Sequence, residues 1–457
     1  MIKKNEIYNL ANFALDFAEK QNSDLQSAEI YFSIHKYLDL EIEENSIKNS
    51  VMGDDLGASL RVIDHRGSLG FAFSNIINKN SLEKLVIQSL KMMSAGTPDP
   101  DFTALPKSPR KYPSVRNLYD KNLENIEIEE GIDYIEDMIH ICEDDEKAIS
   151  QSGGFSADFI EEFLFNSNGI EATGKETNVS VSSNIIAKDE VSKESSFGYD
   201  WQSERKLKDI RPKKIAKSAL KKAKRNLNRI KIENMRVPLV LSPNGTIGLI
   251  LRSLTSAINA ETFQYKRSFL VGKRSKKIGV DAFSITDDAL INGAVGSAIF
   301  DAEGVPGQTK KIIENGKFLK TGLLHNSYTA HKAGVQSTGN ASRSSYKSIP
   351  SISSTNFIMD SGDFTEEEII QDVKKGILLD YTGDSPNLTT GDFSGLILQG
   401  NLIKDGEIGK PLNETMIGIN LLDLFQNIDA ISKQRKVYGK YFAPWVRVKD
   451  AQIIGSK

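Results

Sequence analysis

The chain has 457 residues, enough for roughly two or three domains. Hydrophobic residues make up 39% and charged residues 26% of it, which excludes a largely disordered or fibrous protein. The formal net charge of −3 gives no global field that would draw the protein onto DNA or a membrane. Cys142 is the single cysteine, so an intrachain disulfide framework and an all-cysteine zinc site are both excluded.

The first hundred residues have the pattern of a mixed helix and strand segment. Apolar residues from Ile7 to Ala18 recur at helical spacing and predict an amphipathic helix, not a secretory leader. Alternation at 28–34, 38–43, 58–63 and 69–73 predicts strands, with a hairpin turn at Gly67. A second helix is predicted from Ser81. No apolar stretch is long enough to span a membrane, and we expect a cytoplasmic protein.

A proline-rich stretch follows. Five prolines between 98 and 113 predict an extended connector, because proline lacks a donor and restrains its neighbour. Beyond it, the pattern predicts an acidic helix at 124–146, strands at 158–165, 178–187 and 195–201, and a basic helix at 212–228. The two helices carry opposite charge and are suited to contact each other.

From Val237 onward the chain consists mainly of short strands and turns. The pattern predicts a strand at 237–241 and a buried helix at 245–258. The strand-rich stretch that follows contains one helix, near 365–375, and favours antiparallel pairing. We therefore predict an α+β fold, with an N-terminal mixed helix and antiparallel-sheet domain and a β-rich C-terminal domain. The predicted segments are 1–96, the connector 97–117, a central part of the N-terminal domain at 118–232, and 233–457.

Common catalytic motifs are missing from the sequence. None of the five histidines is followed by glutamate, so the helical H-E-x-x-H zinc motif is absent. A phosphate-binding loop and a G-x-S-x-G nucleophile elbow are absent as well. His325 and His331 lie six residues apart without an evident third ligand, and we interpret them as hydrogen-bonded or surface residues. The basic helix contains no interleaved aromatic residue, so we interpret it as a solvated face and do not expect nucleic-acid binding.

The densest signal lies between Gly293 and Arg343, where turn motifs follow one another. Glu314-Asn315-Gly316 predicts a tight hairpin, because Asn and Gly accept positive φ. Asp301 and Glu303 are carboxylates at a spacing of two, which point the same way if they lie on a strand. Such pairs are more often hydrogen-bonded or solvated than catalytic.

Together, these motifs resemble the TldD/PmbA family of metallopeptidase subunits. The resemblance covers nearly the whole chain and is strongest from about 257 to 428. The matching motifs are Y-K-R-S-F-L at 265–270, G-S through F-D to E-G-V at 296–305, E-N-G at 314–316, S-T-G-N-A at 337–341, T-G-D-F-S at 390–394, E-I-G-K-P at 407–411 and I-G-I-N at 417–420. Each motif alone is weak, but their order and spacing are specific.

The family has two kinds of subunit, and the resemblance is to the kind without a metal. One kind carries an H-E-x-x-x-H zinc helix and a C-terminal cysteine ligand. Here the corresponding helix, about Gly248 to Glu261, contains no histidine, and the C-terminal region reads V-Y-G-K at 437–440. The chain therefore resembles the PmbA (TldE) subunit. No metal ligand is assigned to it; zinc is expected in a partner subunit, and no cofactor is expected in this chain.

The resemblance implies a subunit of a peptidase complex that closes a chamber and holds unfolded peptide. The expected partner is a TldD-like zinc-bearing subunit or a second copy of the chain, and the expected substrate is unfolded peptide, gripped through strand addition. We expect no catalysis by the chain alone. The predicted chamber-lining or substrate residues are Asp301, Glu303, Gly304, His325, Ser337, Thr338, Gly339, Asn340, Arg343, Gly391, Asp392, Phe393 and Ser394.

Two other functions stay open at this point. The first is a non-catalytic regulatory or binding protein, conceivably one that modulates a DNA-associated partner. The second is an independent hydrolase that uses Asp301, Glu303 and His325. Neither the physiological substrate nor the identity of the partner follows from the sequence.

Overall fold

The computed structural model describes residues 3–102 and 104–457. Met1 and Ile2 of the predicted first segment, and Thr103 of the predicted connector, lie outside the described residues. The α+β prediction is confirmed: a helix and sheet unit precedes a strand-rich C-terminal region. The predicted segment boundaries stay predictions.

A six-stranded antiparallel sheet forms the N-terminal unit, in the order β3-β2-β1-β4-β5-β6. Its strands are β1 (Leu25–Glu43), β2 (Ser46–Asp64), β3 (Leu69–Ser74), β4 (Ala148–Asn166), β5 (Glu171–Lys188) and β6 (Ser195–Glu204). The sequence predicted short strands at 28–34 and 38–43, whereas the structure joins them into the single 19-residue strand β1. The hairpin predicted at Gly67 is confirmed, with φ +80° at that glycine.

Five helices cover one face of this sheet. They are α1 (Lys4–Gln21), α2 (Lys79–Ala95), α3 (Lys121–Glu124), α4 (Ile128–Glu143) and α5 (Pro212–Arg225). Helices α1 and α2 pack on one half of the face, around Ile30 and Phe32 of β1. Helices α3 to α5 pack on the other half, around Leu38 and Leu40. Even-numbered residues of β1 therefore face the helices, because side chains alternate along a strand.

The predicted acidic and basic helices are α4 and α5, and they contact each other. Lys213 of α5 pairs with Asp137 of α4 at 3.0 Å, and Lys224 pairs with Asp145 just beyond α4 at 2.8 Å. Residues 97–102 and 104–117, where the sequence predicted an extended connector, form neither helix nor strand.

The C-terminal region contains a twelve-stranded mixed sheet and a two-stranded ribbon. Its strands are β7 (Met235–Leu241), β8 (Ile285–Asp288), β9 (Thr309–Glu314), β10 (Lys317–Phe318), β11 (Ala341–Ser342), β12 (Ser351–Ile352), β13 (Asn356–Met359), β14 (Lys375–Tyr381), β15 (Asp392–Leu396), β16 (Gln399–Lys404), β17 (Glu407–Pro411), β18 (Met416–Asn420), β19 (Ile428–Tyr438) and β20 (Tyr441–Ile454). Pairing is mostly antiparallel as predicted, but β7 with β14 and β13 with β20 are parallel. The hairpin predicted at Asn315-Gly316 joins β9 and β10, with positive φ at both residues.

The helices of this region pack around the sheet. They are α6 (Pro243–Thr246), α7 (Arg252–Ala257), α8 (Ala260–Gln264), α9 (Ser327–Lys332), α10 (Glu366–Gln371) and α11 (Leu421–Gln426). A π-helical turn, Ile247–Leu251, joins α6 to α7 and gives one continuous helical segment over 243–257. Its apolar residues lie in the largest core cluster, as predicted for a buried helix.

Candidate functional site

Half of the second face of the N-terminal sheet forms an open trough. Its cavity has a volume of about 660 Å³ and is lined by β1, β4, β5 and β6 with the start of β2. The strand register places Glu41, Gly154, Ser182 and Trp201 in one row across the sheet. Directly opposite residues of antiparallel strands point to the same face. These side chains therefore share the face that the helices leave uncovered.

The next row repeats this chemistry. Asp39, Ser156, Ser180 and Ser203 are opposite one another across the same four strands. Ser180 donates a hydrogen bond to Ser203 at 3.0 Å, and Ser203 donates to the Asn178 amide oxygen at 2.7 Å. The floor of the trough is thus built from small polar side chains, with carboxylates along β1.

Aromatic side chains form the rim of the trough at β6. Tyr199 and Trp201 line the cavity, and Tyr199 is 39% exposed. The Trp201 ring contacts the Tyr438 ring, with 5.8 Å between the centroids. Since Tyr438 ends β19, this contact joins the rim of the trough to the C-terminal sheet.

An ion pair lies beyond the end of the trough on the same face. The His35 Nε2 atom is 2.8 Å from the Asp158 carboxylate, and both side chains are about one-third exposed. The hydrogen bond with Asp158 raises the pKa of His35 against the opposing effect of burial. Burial and the neighbouring Asp158 charge raise the pKa of Asp39. This pair gives the polar face a histidine whose protonated form is favoured by a carboxylate partner.

The far half of this face is covered by the C-terminal region through a buried charge cluster. Glu303 accepts a hydrogen bond from Arg61 at 2.9 Å and two from Ser327, through its N–H and its hydroxyl, both at 2.7 Å. Arg61 also donates to Glu29 at 2.8 Å, and Arg343 donates to Glu29 as well. The Arg61, Glu29 and Glu303 side chains are at most 3% exposed. The predicted residues Glu303 and Arg343 thus join the C-terminal region to β1 and β2 of the N-terminal sheet.

Asp301 stabilises the turn that carries Glu303. Its carboxylate accepts hydrogen bonds from the N–H groups of Glu303, Val305 and Ala341, each at 2.9 Å. Burial and the adjacent Glu303 raise the pKa of Asp301. Asp301 and Glu303 occupy this turn, not a regular strand. The hydrogen bonds of both carboxylates are to groups within the fold, and a role in lining a chamber stays a prediction.

Gly304 allows this turn to approach the N-terminal sheet closely. Its φ is +75°, and a Cβ atom there would lie 2.7 Å from the Ile170 side chain. Tyr112 donates a hydrogen bond to the Gly304 carbonyl at 2.9 Å, which ties the predicted connector to the same point. The position therefore requires glycine both for its backbone conformation and for space.

His325 is buried beside the predicted segment 337–340. Its N–H donates to the Thr338 hydroxyl at 2.7 Å, and the Ser337 hydroxyl donates to its carbonyl at 3.3 Å. The His325 ring lies 3.2 Å from the Thr329 hydroxyl. Burial and the Arg274 charge lower the pKa of His325 to about 4, so the ring is neutral at pH 7. These contacts agree with the interpretation of His325 as a hydrogen-bonded residue.

Asn340 anchors the same segment to the C-terminal sheet. Its amide donates to Asp287 at 3.1 Å, and its amide oxygen accepts from Lys310 at 2.9 Å. Lys310 and Asp287 are themselves paired at 2.9 Å. Gly339 has φ +67°, and a Cβ atom there would lie 2.5 Å from the Pro306 carbonyl oxygen. The S-T-G-N-A motif therefore forms a tightly packed, hydrogen-bonded turn.

The predicted segment 391–394 begins β15. Gly391 has φ +80° and precedes Asp392, whose carboxylate accepts a hydrogen bond from Asn420 at 2.8 Å. Phe393 is buried in the core, whereas Ser394 is exposed. Only the exposed residues of this segment are accessible to a ligand.

The outer edge of β15 is partly covered by the loop before it. The Asp392 carbonyl accepts a hydrogen bond from the Asn387 N–H at 2.8 Å, and the Leu396 N–H donates to the Asp384 carboxylate at 2.7 Å. Along an antiparallel strand, the peptide groups of successive residues point alternately to the two edges. Ser394, midway between Asp392 and Leu396, therefore has its N–H and carbonyl on the same outward edge. The local contacts therefore leave little room for strand addition at β15.

The sequence resemblance implied a counterpart of the zinc helix at about 248–261, a stretch that in the structure covers the end of the helical segment over 243–257 and the start of α8. It contains no histidine, and Leu251 and Leu254 on it are fully buried. Within residues 3–102 and 104–457, no group of three or more His, Cys, Asp or Glu side chains is arranged to hold a metal ion. A zinc ion needs about four N, S or O ligands, and the described residues do not bring such a set together.

No helix among these described residues combines the length and hydropathy needed to cross a bilayer.

Sequence reasoning missed the trough residues. The sequence of β5 contains the signal, since polar Asn178, Ser180 and Ser182 alternate with the apolar Val179 and Val181. We predicted a strand there but did not interpret its polar side as a surface. The register that joins this side to Asp39 and Glu41 is a long-range property that the local pattern does not contain.

Comparison with known protein families gives matches along most of the chain. Residues 28–92, 121–227 and 234–455 match the first, central and C-terminal domains of PmbA/TldA metallopeptidases. The chain is 26% identical to the metalloprotease PmbA homolog of Buchnera aphidicola over 463 aligned positions, covering 99% of this chain and 98% of that protein. It is 24% identical to the metalloprotease TldD homolog of Haemophilus influenzae over 439 positions, covering 92% and 88%.

A solved structure has the same fold over nearly the whole chain. The crystal structure of TldE from Thermococcus kodakarensis superposes with a TM-score of 0.86 at 22% identity, covering 98% of this chain and 100% of that one.

Proposed function

Because the chain belongs to the PmbA/TldD metallopeptidase family, as its motifs predicted, we propose that it is the non-catalytic subunit of a TldD/TldE-type peptidase. In this proposal it holds unfolded peptide in the trough of the N-terminal sheet and closes the reaction chamber of a zinc-bearing partner. The observation that carries the proposal is the uncovered, polar face across β1, β4, β5 and β6.

The chemistry of the trough suits an extended peptide of varied sequence. Serine hydroxyls and carboxylates on the floor offer hydrogen-bond partners to peptide groups, and small side chains leave the surface accessible. The volume of about 660 Å³ lies within the usual range of ligand sites. Asp39 and Glu41 add negative charge, which favours basic or neutral peptide segments.

Cleavage itself belongs to the partner in this proposal. A bound zinc ion supplies an activated water at neutral pH. This chain contributes binding and the exclusion of bulk water around the substrate. The partner is a TldD-like subunit, or a second copy of the chain if it associates with itself, and we place the complex in the cytoplasm.

The test is a combined metal and cleavage assay. The purified chain and a TldD-type chain with the H-E-x-x-x-H motif from the same genome are assayed separately and as a mixture, using unfolded, fluorescently labelled casein. We expect no bound zinc and no cleavage by this chain alone, and chelator-sensitive cleavage by the mixture. Stoichiometric zinc with full activity from the lone chain would overturn the proposal.

A trough variant makes the assay specific for this chain. Ser182→Lys places a long cation in the middle of the floor, whereas Ser456→Lys makes the same change at the exposed C-terminus. The first variant should weaken cleavage by the mixture through a higher KM, and the second should leave it unchanged. Equal effects of both would argue against peptide binding in the trough.

The regulatory alternative has less support from the contacts of the basic helix. Lys213 and Lys224 are engaged in ion pairs with the acidic helix region, which is the mutual neutralisation that the sequence suggested. A nucleic-acid surface would need these charges free for phosphate.

A further inference from the structure

A second cavity of about 380 Å³ lies between α5 and the C-terminal sheet. We call it the basic cleft. Its cationic side chains are Lys221, Lys222 and Arg225 from α5 and Lys436 from β19. Its acidic side chains are Glu366 and Asp380. Among these lining residues cations outnumber carboxylates by two, and the buried Asp200, 3.6 Å from Lys222, adds a third carboxylate beside the cleft.

The carboxylates of the basic cleft are shared among several donors. Asp380 faces Arg225 at 3.4 Å and accepts a hydrogen bond from the Ser242 hydroxyl as well. Arg225 Nε is buried and has no hydrogen-bond partner in the described part of the chain. Burial and the neighbouring Glu367 raise the pKa of Glu366, and the charges of Lys436 and Lys221 oppose this shift.

Lys436 is a buried cation of the basic cleft, and the carboxylates of Asp200 and Asp380 favour its charged form. Its amino group donates to the Tyr438 hydroxyl at 2.8 Å, a neutral partner. Burial lowers the pKa of Lys436, which means that its surroundings disfavour the charged form. An anion bound beside Lys436 would stabilise that charge.

The basic cleft and the trough share a wall. Lys222, which lines the cleft, donates a hydrogen bond at 3.0 Å to the carbonyl of Tyr199, which lines the trough. Tyr438 of the cleft packs against Trp201 of the trough. The two cavities therefore lie on either side of the β6 edge.

The edge of β6 is closed to strand pairing along this wall. The outward carbonyls of Ser195, Phe197 and Tyr199 accept side-chain hydrogen bonds from Arg229, Gln399 and Lys222, at 3.2, 3.0 and 3.0 Å. A peptide in the trough is thus not held by extending this sheet at those positions. Its end must be fixed by side chains.

We propose that the basic cleft binds the terminal carboxylate of the peptide whose body lies in the trough. This inference rests on the proposed function and adds the direction in which the peptide is bound. A terminal carboxylate carries one negative charge and two acceptor oxygens, which match the ammonium groups of Lys221 and Lys436 and the Arg225 guanidinium. Trp445 and Ile408 provide apolar surface in the same cleft for the last side chain. The complex therefore selects peptides with a free C-terminus and binds them in one direction.

The test compares two short unfolded peptides of identical sequence, one ending in a free carboxylate and one in an amide. Both carry an N-terminal fluorophore, and binding to the full chain is measured by anisotropy at low and moderate salt. We expect the free acid to bind at least about tenfold more tightly, the effect of one charge-assisted hydrogen bond. The preference should weaken as salt screens the charges.

Two double variants with the same change in net charge identify the cleft. Lys221→Gln/Lys436→Gln removes two cations from it, whereas Lys213→Gln/Lys224→Gln removes two from the α4-facing side of α5. The first should abolish the preference for the acid and leave binding of the amide unchanged. The second should keep the preference, and circular dichroism confirms that both fold.

The outcomes separate this inference from the proposed function. Equal binding of acid and amide, unaffected by Lys221→Gln/Lys436→Gln, overturns the inference and leaves peptide binding in the trough intact. Failure of both peptides to bind, alone and with the zinc-bearing partner, overturns the proposed function and the inference with it. If inorganic phosphate binds in the cleft and the acid peptide does not compete with it, the cleft is a phosphate site. This outcome would also overturn the inference.

Discussion

Replacing Arg61 by methionine tests whether the buried charge cluster joins the two sheets. The substitution keeps an unbranched side chain but leaves Glu29 and Glu303, which are at most 1% exposed, without their shared cation. Removing one partner of a buried ion pair costs about 3–5 kcal/mol. Glu29 keeps Arg343, and Glu303 keeps two hydrogen bonds from Ser327, so we expect the lower end of this range.

Arg236→Met is the matched control for this experiment. Arg236 pairs with Asp450 on the surface, where the two side chains are 73% and 34% exposed. Such pairs contribute about 0–1 kcal/mol. Urea titrations followed by far-ultraviolet circular dichroism give the free energy of unfolding of each variant. Equal, small effects of Arg61→Met and Arg236→Met would refute the assignment of the cluster as a desolvated link.

Two further predictions concern the same face. Gly304→Ala should destabilise the fold by about 2–4 kcal/mol, because it adds a clash with Ile170 to the cost of positive φ. Gly334→Ala is the control, because φ there is +64° and a Cβ atom meets nothing within 4 Å. It should lower the free energy of unfolding by only about 1–2 kcal/mol in the same urea titration. Equal costs of the two variants would refute the close approach of Gly304 to Ile170. His35 has a raised pKa in the fold, so its stabilising contribution is fully present below the unfolded pKa of about 6.5 and is lost as the pH rises through the folded value. His35→Gln should therefore flatten the fall in stability as the pH rises above about 6.5, and an unchanged slope would contradict the ion pair with Asp158.

Local periodicity was sufficient for the helices and turns of this fold. The basic helix was predicted at 212–228 and is observed as Pro212–Arg225, because alanines and Ile215 recur on one face between lysines. The turns at Gly67 and Asn315-Gly316 were predicted from residues that accept positive φ, and both have it. These features depend on residues close in sequence, which is why the sequence predicts them.

The site residues could not be assigned in this way. Asp301 and Glu303 stood out in the sequence as paired carboxylates, but the cation that Glu303 binds is Arg61, 242 residues earlier in the chain. Only the tertiary fold brings these charges together, and their contact is a buried hydrogen bond that stabilises the fold. The trough shows the converse, since Ser180 and Ser182 carry no catalytic signature and matter only through the strands beside them.

The recognised family motifs likewise indicated relationship more than chemistry. The S-T-G-N-A motif forms a packed turn around Asn340 and Gly339, and the D-F-S motif contributes Phe393 to the core. Motifs of this kind persist where backbone geometry is demanding, because few residues satisfy positive φ and close approach. Their order identified the family, whereas the candidate binding surface lies on the N-terminal sheet.

The most direct test of peptide holding is photo-crosslinking from the trough during turnover. A photoreactive phenylalanine analogue is placed at Ser182 on the trough floor, or at Lys224 on the helix-covered side as the control, and the chain is mixed with its zinc-bearing partner and a labelled unfolded peptide. We predict a covalent adduct from position 182 that excess unlabelled peptide suppresses, and none from position 224. Efficient cleavage with no adduct at 182, or equal adducts at both positions, would contradict the account.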